Sequence, residues 1–227
     1  MPALPSLSNR FSQLLFRAGQ VLITSYARLM LQLDIQRQVE LPAGPVLYAA
    51  NHPSTTDPIL IHLISATPLS VMITSKVFSI PVLGAYMRRM QQIEVIPGQG
   101  EQVLEQARQT LAEGRSVVIF PEGLISPSGG FHAPRSGVAR LALQAGVPVV
   151  PLGIYLAEEG CKRIPTTLEG EPDLVTWYLR GPYAVTLGRP LWFSGNAEDR
   201  SLVKTIAEMI MEQIRTLAQE SRQRVRA

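Results

Sequence analysis

Between residues 46 and 155 the chain alternates two kinds of segment, and few folds accommodate that alternation. Apolar, strand-like runs at 46–50, 69–74, 93–96, 116–120 and 147–155 are separated by helix-like stretches at about 58–66, 78–90, 99–113 and 135–145. The stretch 99–113 closes on Gly114, the residue type that ends a helix without steric penalty. Short buried strands joined by helices predict a mostly parallel central sheet covered by helices on both faces, an α/β fold. Two further strands, at 174–179 and 184–187, and a final helix at about 199–222 complete one domain over residues 41–227.

Residues 1–40 are expected to form an N-terminal amphipathic helical arm. Over about 7–33, Arg10, Arg17 and Arg28 are spaced near whole helical turns and share a face, while Phe11, Leu15, Leu22, Leu29 and Leu33 fall on another. That pattern suits a helix lying in a membrane interface, with arginines towards headgroups. It equally suits a helix packed on the domain's own core. No uninterrupted apolar stretch reaches the roughly 18 residues of a spanning helix, so peripheral or monotopic association is expected.

Composition narrows the class further. With 46% hydrophobic and 17% charged residues the chain is no disordered polyelectrolyte. A net charge of +3 suits anionic lipid or an anionic co-substrate and is too small to argue for nucleic acid. Arg222, Arg224 and Arg226 read as a solvated helix end. The single cysteine, Cys161, excludes an intramolecular disulfide or a cysteine zinc site, and no secretory signal is recognisable, so a reducing cytoplasm is expected.

Two constellations carry chemistry. Asn51-His52-Pro53-Ser54-Thr55-Thr56-Asp57-Pro58 directly follows a buried strand. A turn between His52 and Asp57 lets the carboxylate hold one imidazole nitrogen and leaves the other free to take a proton. This is the orienting half of a catalytic triad without its serine, so a bound hydroxyl can be the nucleophile. Asp57 before Pro58 is also a good helix N-cap, a purely structural alternative. The second constellation is Phe120-Pro121-Glu122-Gly123 at a strand's carboxyl end, where open α/β sheets bind ligands. A carboxylate beside a glycine suits gripping substrate hydroxyls, and it equally suits a turn. His62, in an apolar run, reads as a core histidine, and His132 as a surface one.

Together these residues resemble the glycerolipid acyltransferase family, which includes glycerol-3-phosphate and 1-acylglycerol-3-phosphate acyltransferases. The resemblance rests on Asn51-His52 with Asp57, on Lys76 with Pro81 and Gly84, on Phe120 to Gly123, on Arg135 with Gly137, and on Val147-Pro148-Val149-Val150-Pro151. It implies an O-acyltransferase that moves a fatty acyl group from acyl-CoA or acyl-carrier protein to a lipid hydroxyl at the cytoplasmic face of a membrane. His52 and Asp57 would be catalytic. Asn51, Lys76, Glu122, Gly123 and Arg135 would bind substrate. No metal and no cofactor beyond the thioester co-substrate is implied.

Two departures bear on the acceptor. The family's aspartate-arginine after the second block is replaced by Ile96-Pro97, and its threonine-arginine after the third by Leu124-Ile125. Those arginines are the expected grip on an acceptor phosphate. The acceptor is therefore either a 1-acylglycerol-3-phosphate held by other cations, Arg135 or Arg88 and Arg89, or a lipid alcohol without phosphate. A membrane lipid-binding or scaffold protein that kept the fold without activity is the non-enzymatic alternative.

Overall fold

A computed structural model describes residues 7–168 and 171–226. Seven strands form one sheet: β1 (Leu31–Arg37), β2 (Leu47–Ala50), β3 (Ser70–Thr74), β4 (Ile93–Val95), β5 (Val117–Ile119), β6 (Val149–Leu156) and β9 (Gly181–Leu187). Their order is β1-β9-β6-β2-β5-β3-β4, and every pairing is parallel except β6 with β9. Between β6 and β9 the chain makes a separate antiparallel hairpin, β7 (Cys161–Leu168) and β8 (Glu171–Tyr178). The α/β reading therefore holds.

Helices cover both faces. On one lie α1 (Leu7–Met30), the short α2 (Asp57–Leu60) that tightens into a 3-10 turn at Ile61–Ile64, α3 (Ser75–Phe78) and α4 (Pro81–Arg89). On the other lie α5 (Gly100–Ala112), α6 (Gly137–Ala145) and α7 (Arg200–Arg226). The period-two rule of strands assigns the side chains: Tyr48, Val118 and Val150 enter the first layer, while Leu47, Val117 and Val149 enter the second. α5 buries Val103, Ala107 and Leu111, one residue per turn, and leaves its other faces to solvent.

Several elements differ from the sequence reading, β7 among them, since no strand is expected over 161–168. The helix expected over 7–33 ends at Met30, and Leu31–Arg37 becomes an edge strand beside β9. Of the arm's expected side chains, Arg10, Phe11 and Leu15 lie outside the described ones. The tail is less solvated than its arginines suggested: Arg224 Nε donates to Asp34 Oδ2 at 2.6 Å and its Nη1 to Thr186 Oγ1 at 2.7 Å. α7 crosses β6 so closely that a Cβ on Gly153 would sit 2.0 Å from the Ala218 nitrogen. Ser221 Oγ donates to the Gly153 carbonyl at 2.8 Å at the same crossing.

Candidate active site

The sheet brings the two constellations together. β2 and β5 are neighbours with Ala49 opposite Ile119, so the segments that leave their carboxyl ends emerge side by side. Asn51 and His52 leave β2, and Phe120 to Gly123 leave β5. The His52 ring stacks on Phe120 with centroids 4.3 Å apart and planes 21° from parallel.

His52 Nδ1 lies 3.0 Å from Asp57 Oδ2, with 16% of the His52 side chain exposed and none of the Asp57 side chain. Among the described residues no hydrogen-bond partner occupies His52 Nε2, the other ring nitrogen. Asp57 Oδ2 also accepts from the Ser54 amide at 2.7 Å, and Oδ1 accepts from the Tyr183 hydroxyl at 3.0 Å. Because Oδ2 is engaged by a backbone donor, the carboxylate is fixed as an acceptor toward Nδ1. That sets the tautomer with Nε2 bare. The helix-capping alternative is not realised: α2 has no side-chain cap, and the Asp57 carboxylate turns back to its own loop.

Burial pushes the Asp57 carboxyl above its ordinary range, while the bonds from His52, Ser54 and Tyr183 pull the other way. Tyr183 is driven well above the usual tyrosine value by burial and then by the Asp57 charge, so its hydroxyl stays a donor. Asp57 is thus a poorly solvated, strongly accepting carboxylate, suited to stabilising an imidazolium that forms beside it.

The loop 53–57 is stapled to β8. The Thr55 amide donates to the Thr176 carbonyl at 2.7 Å, the Thr176 amide donates to Thr55 Oγ1 at 2.9 Å, and Ser54 Oγ donates to the same Thr176 carbonyl at 2.9 Å. Neither this brace nor Tyr183 was singled out from sequence. Alternation along β9 places Tyr183 with Val185 and Leu187, which is a core signal and not a catalytic one.

The expected substrate-binding residues take different places. Asn51 is buried, and its carboxamide exchanges two hydrogen bonds with the Ile154 backbone, 2.9 Å from Nδ2 to the carbonyl and 2.7 Å from the amide to Oδ1. It bridges β2 to β6 beyond the end of their ladder. Glu122 is 1% exposed. Its Oε1 accepts from the His52 amide at 3.3 Å and from Ser126 Oγ at 2.5 Å, and its Oε2 accepts from the His132 amide at 2.7 Å. Its carboxylate thus ties together the loops around His52. Gly123 has φ +66°, a left-handed backbone that favours glycine, and a Cβ there would lie 2.6 Å from Nε of the exposed Arg135 side chain, which can swing aside. Arg135 lies across it, exposed, and adds a cation to the rim. Lys76 is half-buried on α3, after β3, at the same edge of the sheet. Pro97 and Ile125, at the positions where the family pattern has arginines, are exposed and half-buried respectively.

Beside α2, a narrow, mostly apolar pocket of about 50 Å³ is walled by Ile23 of α1, Ile59 and Met87, with Gln20, His62, Gln92 and Arg115 also in its lining. Among the described residues no group of three His, Cys, Asp or Glu side chains is placed to hold a metal ion. No described helix is long and apolar enough to cross a membrane.

A family model described as Acyltransferase matches residues 32–155. The chain is 29% identical over 154 residues to a lyso-ornithine lipid O-acyltransferase of Pseudomonas aeruginosa, an alignment covering 66% of this chain and 59% of the relative. It is 34% identical over 144 residues to a chloroplastic 1-acyl-sn-glycerol-3-phosphate acyltransferase of Brassica napus, covering 60% of this chain and 40% of that one. The chain thus spans about two fifths to three fifths of these relatives' lengths. The crystal structure of a 1-acyl-sn-glycerophosphate acyltransferase from Thermotoga maritima shares the fold, with a TM-score of 0.58 at 21% identity over 88% of this chain and 82% of that one.

Proposed function

The chain belongs to the acyltransferase family, and from that premise we propose that it moves a fatty acyl group from a thioester donor to a lipid hydroxyl, with His52 as general base. The donor is acyl-CoA or acyl-carrier protein. The observation that carries the reading is the 3.0 Å contact between His52 Nδ1 and the fully buried Asp57 carboxylate, with Nε2 unoccupied among the described residues.

The acceptor oxygen attacks the thioester carbonyl as its proton passes to Nε2, and Asp57 stabilises the imidazolium. Collapse of the tetrahedral intermediate breaks the carbon–sulfur bond, and the departing thiolate takes the proton back. No acyl-enzyme is needed. General-base help of this kind is worth about 10²–10⁴-fold, and alignment of the two bound substrates supplies much of the remainder. Glu122 and the β8 brace hold the loops that carry His52. The mostly apolar pocket beside Pro58 and Ile59 receives part of the acyl chain.

The lipid acceptor is presented at a membrane surface by α1. One face of that helix is packed, with Ala27 buried and Ile23 and Tyr26 against the core. The opposite face leaves Leu14, Val21, Leu22 and Leu29 at least two-thirds exposed, flanked by Arg17 and Arg28. An apolar stripe of that size on an exposed helix, edged by arginines, suits the interface of an anionic bilayer.

For the acceptor headgroup we propose a 1-acylglycerol-3-phosphate, its phosphate held by Arg135 where the chain crosses Gly123. A second reading, an acceptor without phosphate, is favoured by Pro97 and Ile125 at the positions where arginines were expected. Thiol release from a long-chain acyl-CoA and from an acyl-carrier protein, measured across phosphorylated and unphosphorylated lysolipids, separates these. Release that requires the phosphate and falls with Arg135→Gln supports the first acceptor. Release with unphosphorylated lysolipids, indifferent to Arg135→Gln, supports the second. No release with any pair contradicts acyl transfer.

A further inference from the structure

The strand order carries one loop across the end of the strand that delivers His52. β2 lies between β5 and β6 and runs parallel to both, so the three carboxyl ends share one edge of the sheet. β6 runs on past Leu152, opposite Ala50, to Leu156, and so extends beyond the point where Asn51 and His52 emerge. In the chain that leaves β5, the Ser126 amide donates to the His52 carbonyl at 2.8 Å. The tip of the same loop is tied to Glu158, just past the end of β6. Ser128 Oγ donates to Glu158 Oε2 at 2.6 Å and the Gly129 amide to Oε1 at 2.5 Å. Residues 124–132 therefore form a strap from β5 to β6 across the carboxyl end of β2.

The tip is a preformed turn. The Gly130 amide donates to the Pro127 carbonyl at 3.1 Å, and Gly129 within the turn has φ +67°, a conformation that glycine takes without strain. On the return leg the His132 amide donates to Glu122 Oε2 at 2.7 Å. Both legs are thus anchored to the segments around His52, while Glu158 anchors the tip on the far side of β2. The Ser128 bond holds the Glu158 carboxyl below its ordinary value, which keeps it an ionised acceptor at neutral pH. Ser128, Gly129 and Glu158 are exposed, so water competes for the clasp and it can open to admit substrates.

Acyl transfer without an acyl-enzyme makes water a rival of the acceptor. A bare His52 Nε2 takes a proton from water as it does from a lipid hydroxyl. Water then attacks the thioester carbonyl, the carbon–sulfur bond breaks, and the proton passes from His52 to the thiolate. The products are a free fatty acid and a thiol, and the donor is consumed with no lipid acylated. Excluding water while both substrates are bound suppresses that reaction, and a loop that closes over the site can do this.

We propose that residues 124–132 close the reacting centre to water and that Glu158 is a positioning residue, the clasp that holds them closed. The inference rests on the acyl-transfer reading and adds to it the element that protects the donor. Glu158→Ala removes both bonds of the clasp. Glu158→Gln can keep both, its carboxamide oxygen accepting from Gly129 and its NH2 donating to Ser128 Oγ. Wild type and both variants are given palmitoyl-CoA and, in parallel, palmitoyl-acyl-carrier protein, each with a lysolipid that wild type acylates. Free palmitate and acylated lipid are measured side by side. Hydrogen exchange over residues 124–132 gives a readout independent of turnover.

Losing two exposed bonds to a carboxylate corresponds to a rise of about tenfold in the strap's open population. Glu158→Ala is therefore expected to raise the ratio of palmitate to acylated lipid about tenfold and to speed exchange over 124–132. Glu158→Gln is expected to stay within about threefold of wild type in both readouts. General damage lowers both products together and leaves their ratio unchanged. A ratio for Glu158→Ala within about twofold of wild type overturns the assignment, as does a Glu158→Gln variant that leaks as much as Glu158→Ala. If wild type acylates no lysolipid from either donor, the acyl-transfer reading itself fails. Exchange unchanged by Glu158→Ala then removes the clasp as well, whereas faster exchange upholds it.

Discussion

Replacing Asp57 by asparagine isolates the charge of the catalytic pair from its geometry. Oδ2 accepts from the Ser54 amide at 2.7 Å and lies 3.0 Å from His52 Nδ1, so the carboxamide oxygen of Asp57→Asn must occupy that place. The amide nitrogen then faces the Tyr183 oxygen, which can turn its hydrogen away and accept. Every hydrogen bond is matched and the His52 tautomer is kept. What disappears is the negative charge that would stabilise the imidazolium, an electrostatic contribution of about 10²–10³-fold in kcat.

Stability should move the other way. The folded-state pKa of Asp57 is raised, chiefly by burial, so the carboxyl's contribution to folding is greatest at acid pH and is lost as pH rises through that pKa. Asp57→Asn removes this loss. Thermal unfolding followed by circular dichroism should give a Tm for the variant within about 4 °C of wild type, or above it, at pH 7.5. The difference should shrink as pH falls and wild-type Asp57 takes up a proton. A variant much less stable than wild type at neutral pH, or one with kcat within threefold of wild type, refutes the reasoning.

Tyr183→Phe leaves Asp57 Oδ1 without its donor, and the loss of a hydrogen bond to a buried charge should destabilise the fold by about 1.5–3 kcal/mol in urea melts. Turnover should fall together with that loss. Gly153→Ala drives a methyl into the α7 backbone, and unfolding should show a loss of about 3 kcal/mol or more, or no folded protein. His62, which burial and then the Arg115 charge lower to about 4, favours the neutral folded form. Its contribution is present above the unfolded value and is lost as pH falls towards 4, about 3 kcal/mol in all. His62→Leu should accordingly flatten the acid limb of the pH–stability curve measured by denaturant titration.

The alternation over residues 46–155 made the parallel core legible, because each strand is buried on both faces and each helix has one apolar stripe. β1 was not legible. Leu29 and Leu33 continue a helical spacing, while Leu31, Leu33 and Ile35 satisfy a strand equally well. The choice is made by β9, which pairs Leu31 with Gly181 far along the chain. β7, with Lys162, Arg163 and Pro165, has the composition of a loop and is a strand only by its pairing with β8. In the site, His52 and Asp57 could be read together because five residues separate them. Tyr183, 126 residues from Asp57, carries no local mark of its role. Glu122 was found at the right strand end, but its burial depends on the loops that close over it and could not be read from its own segment.

The central claim is that His52 takes the acceptor's proton. Single-turnover transfer from palmitoyl-CoA to 1-acylglycerol-3-phosphate by wild type and His52→Ala tests it most directly, with donor and acceptor binding measured separately. The expected result is binding within about threefold of wild type and a transfer rate reduced by about 10²–10⁴-fold. A transfer rate within tenfold of wild type, with binding intact, would show that another group takes the proton.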